Sequence, residues 1–310
     1  MNTFVTVNIY DTGTNFENAS TWIDSAFAEI KRIEEMATHY SNTSEIGRIN
    51  YHAGVDSVAV SEELVSLLEE SLKFAEESGG AFNVAVGPIV QAWDFLAEQP
   101  RVPERERIDK LLPLIDYRLI SMNGNKVYLQ KKGMSLDLGG IAKGYAVDRA
   151  VDVLKAGGFK RFIVDLGGNL GVFWEGTRLI DSAAARILVR HPRKEGEFFG
   201  SFKMGSGGVA TSGDYQQYFM AEGVRYHHII DPTIGYPARG VVSVTAMAPD
   251  GITADAFSTL VFVLGRDRGM EVIKNTPGIE GMIIYEDDGM LNVDLSPGLQ
   301  ELFMRNYSHD

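Results

Sequence analysis

The segment Met134-Ser-Leu-Asp-Leu-Gly-Gly-Ile-Ala-Lys-Gly-Tyr-Ala-Val-Asp148 constrains the fold more than any other stretch of the chain. Its first half alternates as a strand does, Gly139-Gly140 strips the side chains where the backbone must turn or approach a ligand, and Ala142 onward has the composition of a helix start. A strand-turn-helix junction of this kind offers backbone N–H groups, a positive helix end and Lys143 to an anion, while Asp137 and the turn carbonyls face a cation or a sugar. Taken alone, it also fits a plain tight connection. The glycine spacing matches neither a Walker loop, where Ser or Thr rather than Gly144 would follow the lysine, nor the GxGxxG turn of a Rossmann fold.

Around this junction the hydrophobic periodicity predicts a strand over Thr3–Tyr10 and amphipathic helices over Ala19–Thr38 and Ser61–Glu77, the latter opened by Ser61 with Glu62 and Glu63 in its first turn. Ser44 caps a short helix that turns Ile46 and Ile49 inward, which leaves Tyr40 and Asn50 without an evident packing duty. Trp93 and Phe95 read as core, and Pro100–Pro113, charged and proline-flanked, as an exposed excursion. Asn123-Gly124-Asn125 marks a hairpin between Tyr117–Ser121 and Lys126–Gln130. A helix over Gly144–Gly157 and a buried strand Arg161–Leu166 lead to a second glycine turn, Gly167-Gly168-Asn169. The spacing then predicts strand Ile187–Arg190, a glycine- and hydroxyl-rich loop over Gly205–Tyr215, strand Val241–Ala248 and a helix over Thr253–Gly265 that is apolar nearly all round. Hairpins mixed with long helices, and no repeat of 20–50 residues, give an α+β class. The 310 residues form one domain over 1–310, or two intimately packed subdomains.

Composition removes several function classes. A formal net charge of −13 without a clustered Lys/Arg stripe excludes nucleic acid as the partner. No apolar run approaches the length of a membrane span. With no cysteine, disulfides, thiolate metal sites and a cysteine nucleophile are excluded. The chain opens directly on an alternating segment, and the expectation is either a protein made without a signal or one whose leader has been cut away.

Two constellations carry chemistry. Asp255 and Thr259 stand four apart in the apolar helix, so a carboxylate and a hydroxyl project from one face, one turn apart. Hard oxygens at that spacing suit Mg²⁺. The competing reading makes Asp255 a helix cap and lets Thr259 bond its own backbone. His227-His228 precedes an Ile-Ile-Asp-Pro turn and supplies a general base or a structural histidine; adjacent side chains in extended backbone point to opposite sides, which disfavours a shared metal. Thr211 and Ser212 lack the GxSxG elbow of a serine nucleophile.

Six blocks then carry a resemblance: Tyr40–Asn50, Gly79–Pro88 with Trp93 and Phe95, Leu136–Asp148, Thr211–Tyr215, His228–Pro232 and Ala254–Thr259 follow the order found in the ApbE family of FAD:protein FMN transferases. The resemblance implies an α+β, T-fold-related architecture of mixed sheets and packed helices with the FAD site in a central cleft. It also implies FAD as substrate, Mg²⁺ as cofactor, and transfer of FMN to a Thr or Ser hydroxyl of a partner flavoprotein with release of AMP. Carried over residue by residue, Asp137 and Lys143 match FAD contacts, Ala81, Phe82 and Asn83 a segment along the FAD, Met1 and Tyr40 positions beside the dinucleotide, and Ile229 or Ile230 a backbone contact. The metal positions correspond to the Gly140 carbonyl, Asp255, the Ser258 carbonyl and Thr259, and His228 matches the base. Asn83 stands where Asp is common, and Ile234 where Thr is usual. The competing functions are a Mg²⁺-dependent FAD pyrophosphatase giving FMN and AMP, and a non-catalytic FAD-binding protein. Family members are mostly exported lipoproteins, so the expected location is the periplasm or the outer face of the cytoplasmic membrane, with the cytoplasm as alternative.

Overall fold

The structure, a computed structural model, describes residues 3–11, 18–180 and 185–306. From the N-terminus come β1 (Val5–Asp11), α1 (Ala19–Ala37), α2 (Glu45–Tyr51), β2 (Val58–Ala59), α3 (Glu62–Glu77), α4 (Gly87–Trp93) and α5 (Arg105–Leu111). The middle of the chain holds β3 (Ile120–Asn123), β4 (Lys126–Leu129), α6 (Ala142–Ala156), β5 (Arg161–Leu166), β6 (Asn169–Trp174), β7 (Ala185–Arg190), β8 (Phe198–Met204) and β9 (Gly207–Gly213). Then follow β10 (Tyr218–Ala221), β11 (Val224–His227), β12 (Ile230–Asp231), β13 (Tyr236–Pro237), β14 (Ser243–Ala248), α7 (Gly251–Leu264), α8 (Arg266–Asn275), β15 (Glu280–Asp287), β16 (Met290–Leu295), α9 (Pro297–Gln300) and β17 (Met304–Arg305). This is the mixed α+β class expected. The chain divides into two compact units: residues 1–31, 143–215 and 240–310 make the first, and 32–142 with 216–239 the second.

The first unit is built on a seven-stranded sheet in the order β1-β5-β6-β9-β14-β15-β16, with every neighbouring pair antiparallel. All six residues of β14 are buried, as a strand covered on both faces must be. Val209, Met247, Met282 and Ile284 join Ile187, Val189, Phe202 and Met204 of the smaller β17-β8-β7 sheet in one apolar cluster. The other face of the sheet carries α7: Ser212 of β9 lies 2.9 Å, oxygen to oxygen, from Ser258 of that helix.

β9 corrects the loop expected over Gly205–Tyr215. Its alternation is hidden because the residues facing the helix are small, and they are small because the helix start lies on them. A methyl at Gly208 would stand 2.3 Å from the Asp250 carbonyl oxygen. Close packing, rather than turn formation, accounts for the glycines.

In the second unit Ile89, Ala92, Trp93, Ile108, Ile115 and Ile230 form the core. Trp93 is fully buried, donates its indole N–H to the Gly235 carbonyl at 2.8 Å, and stacks on Phe95 at 5.5 Å. Trp93 is core, as its composition implied, and Phe95 is partly buried against the same cluster. The supposed excursion Pro100–Pro113 contains α5, whose Ile108 is fully buried in that cluster while the surrounding charges face solvent. One buried residue in a two-turn helix is too little periodicity to read. The expected hairpin is present as β3–β4, with Gly124 at φ 55°, and Ser44 and Ser61 cap α2 and α3.

Candidate active site

In the first unit a group of polar side chains is assembled at the start of α7. Asp250 is the N-cap of this helix and accepts the Thr253 N–H at 2.9 Å, which excludes the capping role for Asp255. Asp255 lies in the second turn, 2% exposed. A carboxylate so placed needs partners, and α6 supplies them. The Gly144 N–H donates to its Oδ2 at 2.9 Å, and the Lys143 ammonium lies 3.4 Å from its Oδ1. The compensation expected from a cation is thus already provided by the lysine of the glycine junction.

Lys143 Nζ also donates to Asn169 Oδ1 at 3.3 Å. Asn169 is 2% exposed, and its Nδ2 has no hydrogen-bond partner among the described residues. Flipping the amide would set two donors face to face, so the lysine fixes its orientation. An unpaired buried amide costs about 1–3 kcal/mol, and an acceptor supplied by a ligand would recover it. Next along α7, Thr259 Oγ1 lies 3.4 Å from Ser212 Oγ, and the Ser258 hydroxyl donates to the Asp255 carbonyl at 2.9 Å. Lys143, Asn169, Ser212, Asp255, Ser258 and Thr259 therefore form one polar cluster in an otherwise apolar interior.

For Mg²⁺ the donor chemistry fits. Among the described residues Asp255 Oδ1 has only a long contact, to Lys143, and Thr259 adds a neutral hydroxyl, the hard-oxygen set this ion takes together with water or phosphate oxygens. Among the described residues no group of three His, Asp or Glu side chains is placed to hold a metal, so the set rests on one carboxylate and neutral oxygens.

The second unit holds the remaining predicted residues. Met134–Leu138 has no regular secondary structure and belongs to no sheet, contrary to the strand expected there. Its backbone partners are different: Asn50 brackets Leu136, donating from Nδ2 to its carbonyl at 3.0 Å and accepting its N–H at 2.6 Å, while the Asp137 N–H reaches the Val84 carbonyl at 2.8 Å. This gives Asn50 the duty its sequence context left open. Asp137 Oδ1 accepts the Gly139 N–H at 2.7 Å, and its Oδ2 lies 3.7 Å from His39 Nδ1. Neither Gly139 nor Gly140 adopts a positive φ. Gly140 is half-buried in the turn before α6, and Tyr40, 73% exposed, lies with its ring tilted against that of His39, centroids 4.0 Å apart. That exposure excludes a core role for Tyr40.

Ala81 and Phe82 are buried, the latter edge-on to Phe74. Asn83 explains its own departure from the family pattern. Its Oδ1 caps the Ala85 N–H at 2.9 Å, and its Nδ2 donates to the Ile115 carbonyl at 3.0 Å. An aspartate would lose the second bond.

His227 and His228 diverge as expected. His227 is 3% exposed; its Nε2 pairs with the Ala238 carbonyl at 2.9 Å and its Nδ1 accepts the Ile229 N–H at 3.3 Å, which fixes a neutral, structural ring. His228 is half-buried, with Nδ1 3.3 Å from the Gln217 carbonyl. Donation from Nδ1 leaves the lone pair of the neutral ring on Nε2, the tautomer a base requires. Ile229 and Ile230 are both buried, and the Ile229 carbonyl accepts the Ala238 N–H. Met1 lies outside the described residues.

In the sequence Asn169 stood out only as the end of a glycine turn, and Ser212 only as a rejected nucleophile. For Asn169 a signal existed: the tetrapeptide Asp-Leu-Gly-Gly occurs at both 137–140 and 165–168, and in each copy the aspartate accepts a glycine N–H of its own turn.

The ApbE family model matches residues 1–283, and the chain belongs to that family. A FAD:protein FMN transferase of Treponema pallidum is 36% identical over 283 residues, covering 86% of this chain and 77% of the relative. The crystal structure of the ApbE protein of Thermotoga maritima superimposes with a TM-score of 0.84 at 35% identity, over 96% of this chain and 95% of that one. The apo flavinyl transferase ApbE of Pseudomonas stutzeri gives 0.83 at 26% identity, over 96% and 93%.

Proposed function

We propose that the chain transfers FMN from FAD to a Thr or Ser hydroxyl of a partner flavoprotein and releases AMP, with Mg²⁺ as cofactor. The observation that carries the reading is the convergence of Lys143, Asn169 and Asp255, in a chain whose relatives include a named FAD:protein FMN transferase. The acceptor O–H gives its proton to His228 Nε2 and its oxygen bonds to the FMN phosphorus. The bond from that phosphorus to the bridging oxygen breaks, and the electron pair leaves with AMP. No protein nucleophile is required. Held by Gln217 through Nδ1, His228 keeps the acceptor tautomer. The Lys143 ammonium and the Asn169 amide suit the negative charge that grows on the pyrophosphate. Asp255, Thr259 and the Ser258 carbonyl would hold Mg²⁺, which when bound neutralises phosphate oxygens; the Gly140 carbonyl is added by the family resemblance alone. An exported location belongs to the same proposal and rests on the family resemblance alone.

The test mixes protein, FAD and Mg²⁺ with and without a flavin-acceptor peptide. The reading expects AMP only with the peptide, in amount equal to the peptide modified. AMP at the same rate without peptide would make the protein a FAD pyrophosphatase, and none in either case a FAD-binding protein.

A further inference from the structure

Asp148, the last residue of the glycine junction segment, lies outside the cluster described above, yet it determines how that cluster is held. It projects from α6, and both of its oxygens are engaged on the start of α7: Oδ1 accepts the Gly251 N–H at 2.6 Å and Oδ2 the Ile252 N–H at 2.8 Å. With Asp250 accepting the Thr253 N–H through its side chain, the N–H groups of Gly251, Ile252 and Thr253, which the helix itself leaves without partners, are all satisfied. The two aspartates differ in what they join. Asp250 is the helix's own cap, whereas Asp148 comes from 103 residues earlier in the chain and ties two helices together.

The tie is reinforced by backbone contact. A methyl on Gly144 would stand 2.1 Å from the Gly251 carbonyl oxygen and 2.7 Å from Asp255 Cβ, and one on Gly251 would stand 2.8 Å from the Gly144 carbonyl oxygen. The two helix starts therefore meet glycine against glycine. One turn along α7 from the Asp148 contact, Asp255 receives Gly144 N–H and Lys143; one turn back along α6 from Asp148 lie Gly144 and Lys143 themselves. Asp148 and Asp255 thus close a loop of hydrogen bonds between α6 and α7, one at each end of the glycine contact. Rotating or sliding α7 by a fraction of a turn would break both.

We infer that Asp148 is a positioning residue: its carboxylate clamps the start of α7 onto α6 and so sets Asp255 and Thr259 against Lys143. The functional consequence rests on the reading of Asp255 and Thr259 as metal ligands. A residue acting this way touches neither metal nor substrate, and its loss is felt as misplacement of the groups that do.

The experiment compares Asp148→Asn, which keeps one acceptor oxygen but turns an N–H toward a backbone N–H, with Asp250→Ala, which removes the ordinary cap of the same helix. The first readout is amide hydrogen exchange at Gly144 in the ligand-free protein. Asp148→Asn is expected to speed it at least tenfold, while Asp250→Ala speeds exchange at Thr253 and leaves Gly144 within twofold of the parent. The second is the Mg²⁺ concentration giving half-maximal FMN transfer, expected to rise at least tenfold for Asp148→Asn and to stay within twofold for Asp250→Ala. If Asp148→Asn does not fold, Asp148→Glu, with both acceptors on a longer arm, replaces it with the same expectations. Unchanged exchange at Gly144, or equal effects of both variants on it, overturns the clamp. Faster exchange at Gly144 with an unmoved Mg²⁺ midpoint overturns the positioning role if Asp255→Asn does move that midpoint. If Asp255→Asn also leaves it unmoved, the metal reading fails and the clamp stands on exchange alone.

Discussion

At the scale of single residues, neighbours of one chemical type divide the work according to which hydrogen bonds they make. His227 has both ring nitrogens committed to backbone in a buried setting, while half-buried His228 is anchored through Nδ1, which puts the lone pair of its neutral ring on Nε2. His228→Ala is therefore expected to bind FAD within a few-fold of the parent and to lose roughly 10²–10⁴-fold in transfer rate, measured by flavin fluorescence titration beside single-turnover transfer. An equal loss in affinity and rate would reassign it to binding. The burial of His227 and its two backbone bonds mean that His227→Ala should lose stability rather than turnover. Asn83 allows an equally local test. Asn83→Asp keeps the cap on Ala85 but leaves the Ile115 carbonyl without its donor, so urea unfolding should show a loss of about 1–3 kcal/mol. A variant as stable as the parent would mean the amide is not needed there.

At the scale of elements, α6 and α7 show how a helix start becomes a chemical device. Burial pushes the Asp148 carboxyl up to about 7 against the lowering effect of the Gly251 and Ile252 N–H groups, with the Asp250 and Asp152 charges adding to the rise. A folded-state value above the ordinary 3.8 means the folded protein holds more protons than the unfolded chain between those limits, so stability falls as pH rises from about 4 to about 7. Between pH 5 and 8 this amounts to roughly 2–3 kcal/mol. Asp148→Asn should flatten that part of the slope, read as the difference between parent and variant in urea unfolding at the two pH values; parallel slopes would contradict it. The elements themselves were largely legible in advance. Long amphipathic helices, serine caps and the Asn-Gly hairpin follow from local periodicity and turn chemistry. What escaped was tertiary: β9 read as a loop because its small residues answer to the helix lying on them, and Met134–Leu138 read as a strand although Asn50 and Val84 pair it outside any sheet.

At the scale of the whole molecule, a chain of net charge −13 offers a locally cationic group, Lys143, where an anionic dinucleotide would be received. Its role follows from partners 26 and 112 residues away in sequence, Asn169 and Asp255. The family's blocks made Lys143, Asp255 and Thr259 visible from sequence because each sits in a recognisable segment. Asn169 and Asp148 stayed silent because what distinguishes them is an unpaired amide and a second helix start, which exist only once the chain is folded. The account turns on whether Asp255 binds a metal or only ties α7 to Lys143 and Gly144. Asp255→Asn keeps an oxygen for the Gly144 N–H and removes the charge. Titrating Mg²⁺ against FMN transfer and AMP release for this variant should show turnover abolished, or restored only in part at much higher Mg²⁺; a curve superimposable on the parent's would remove the metal from this site.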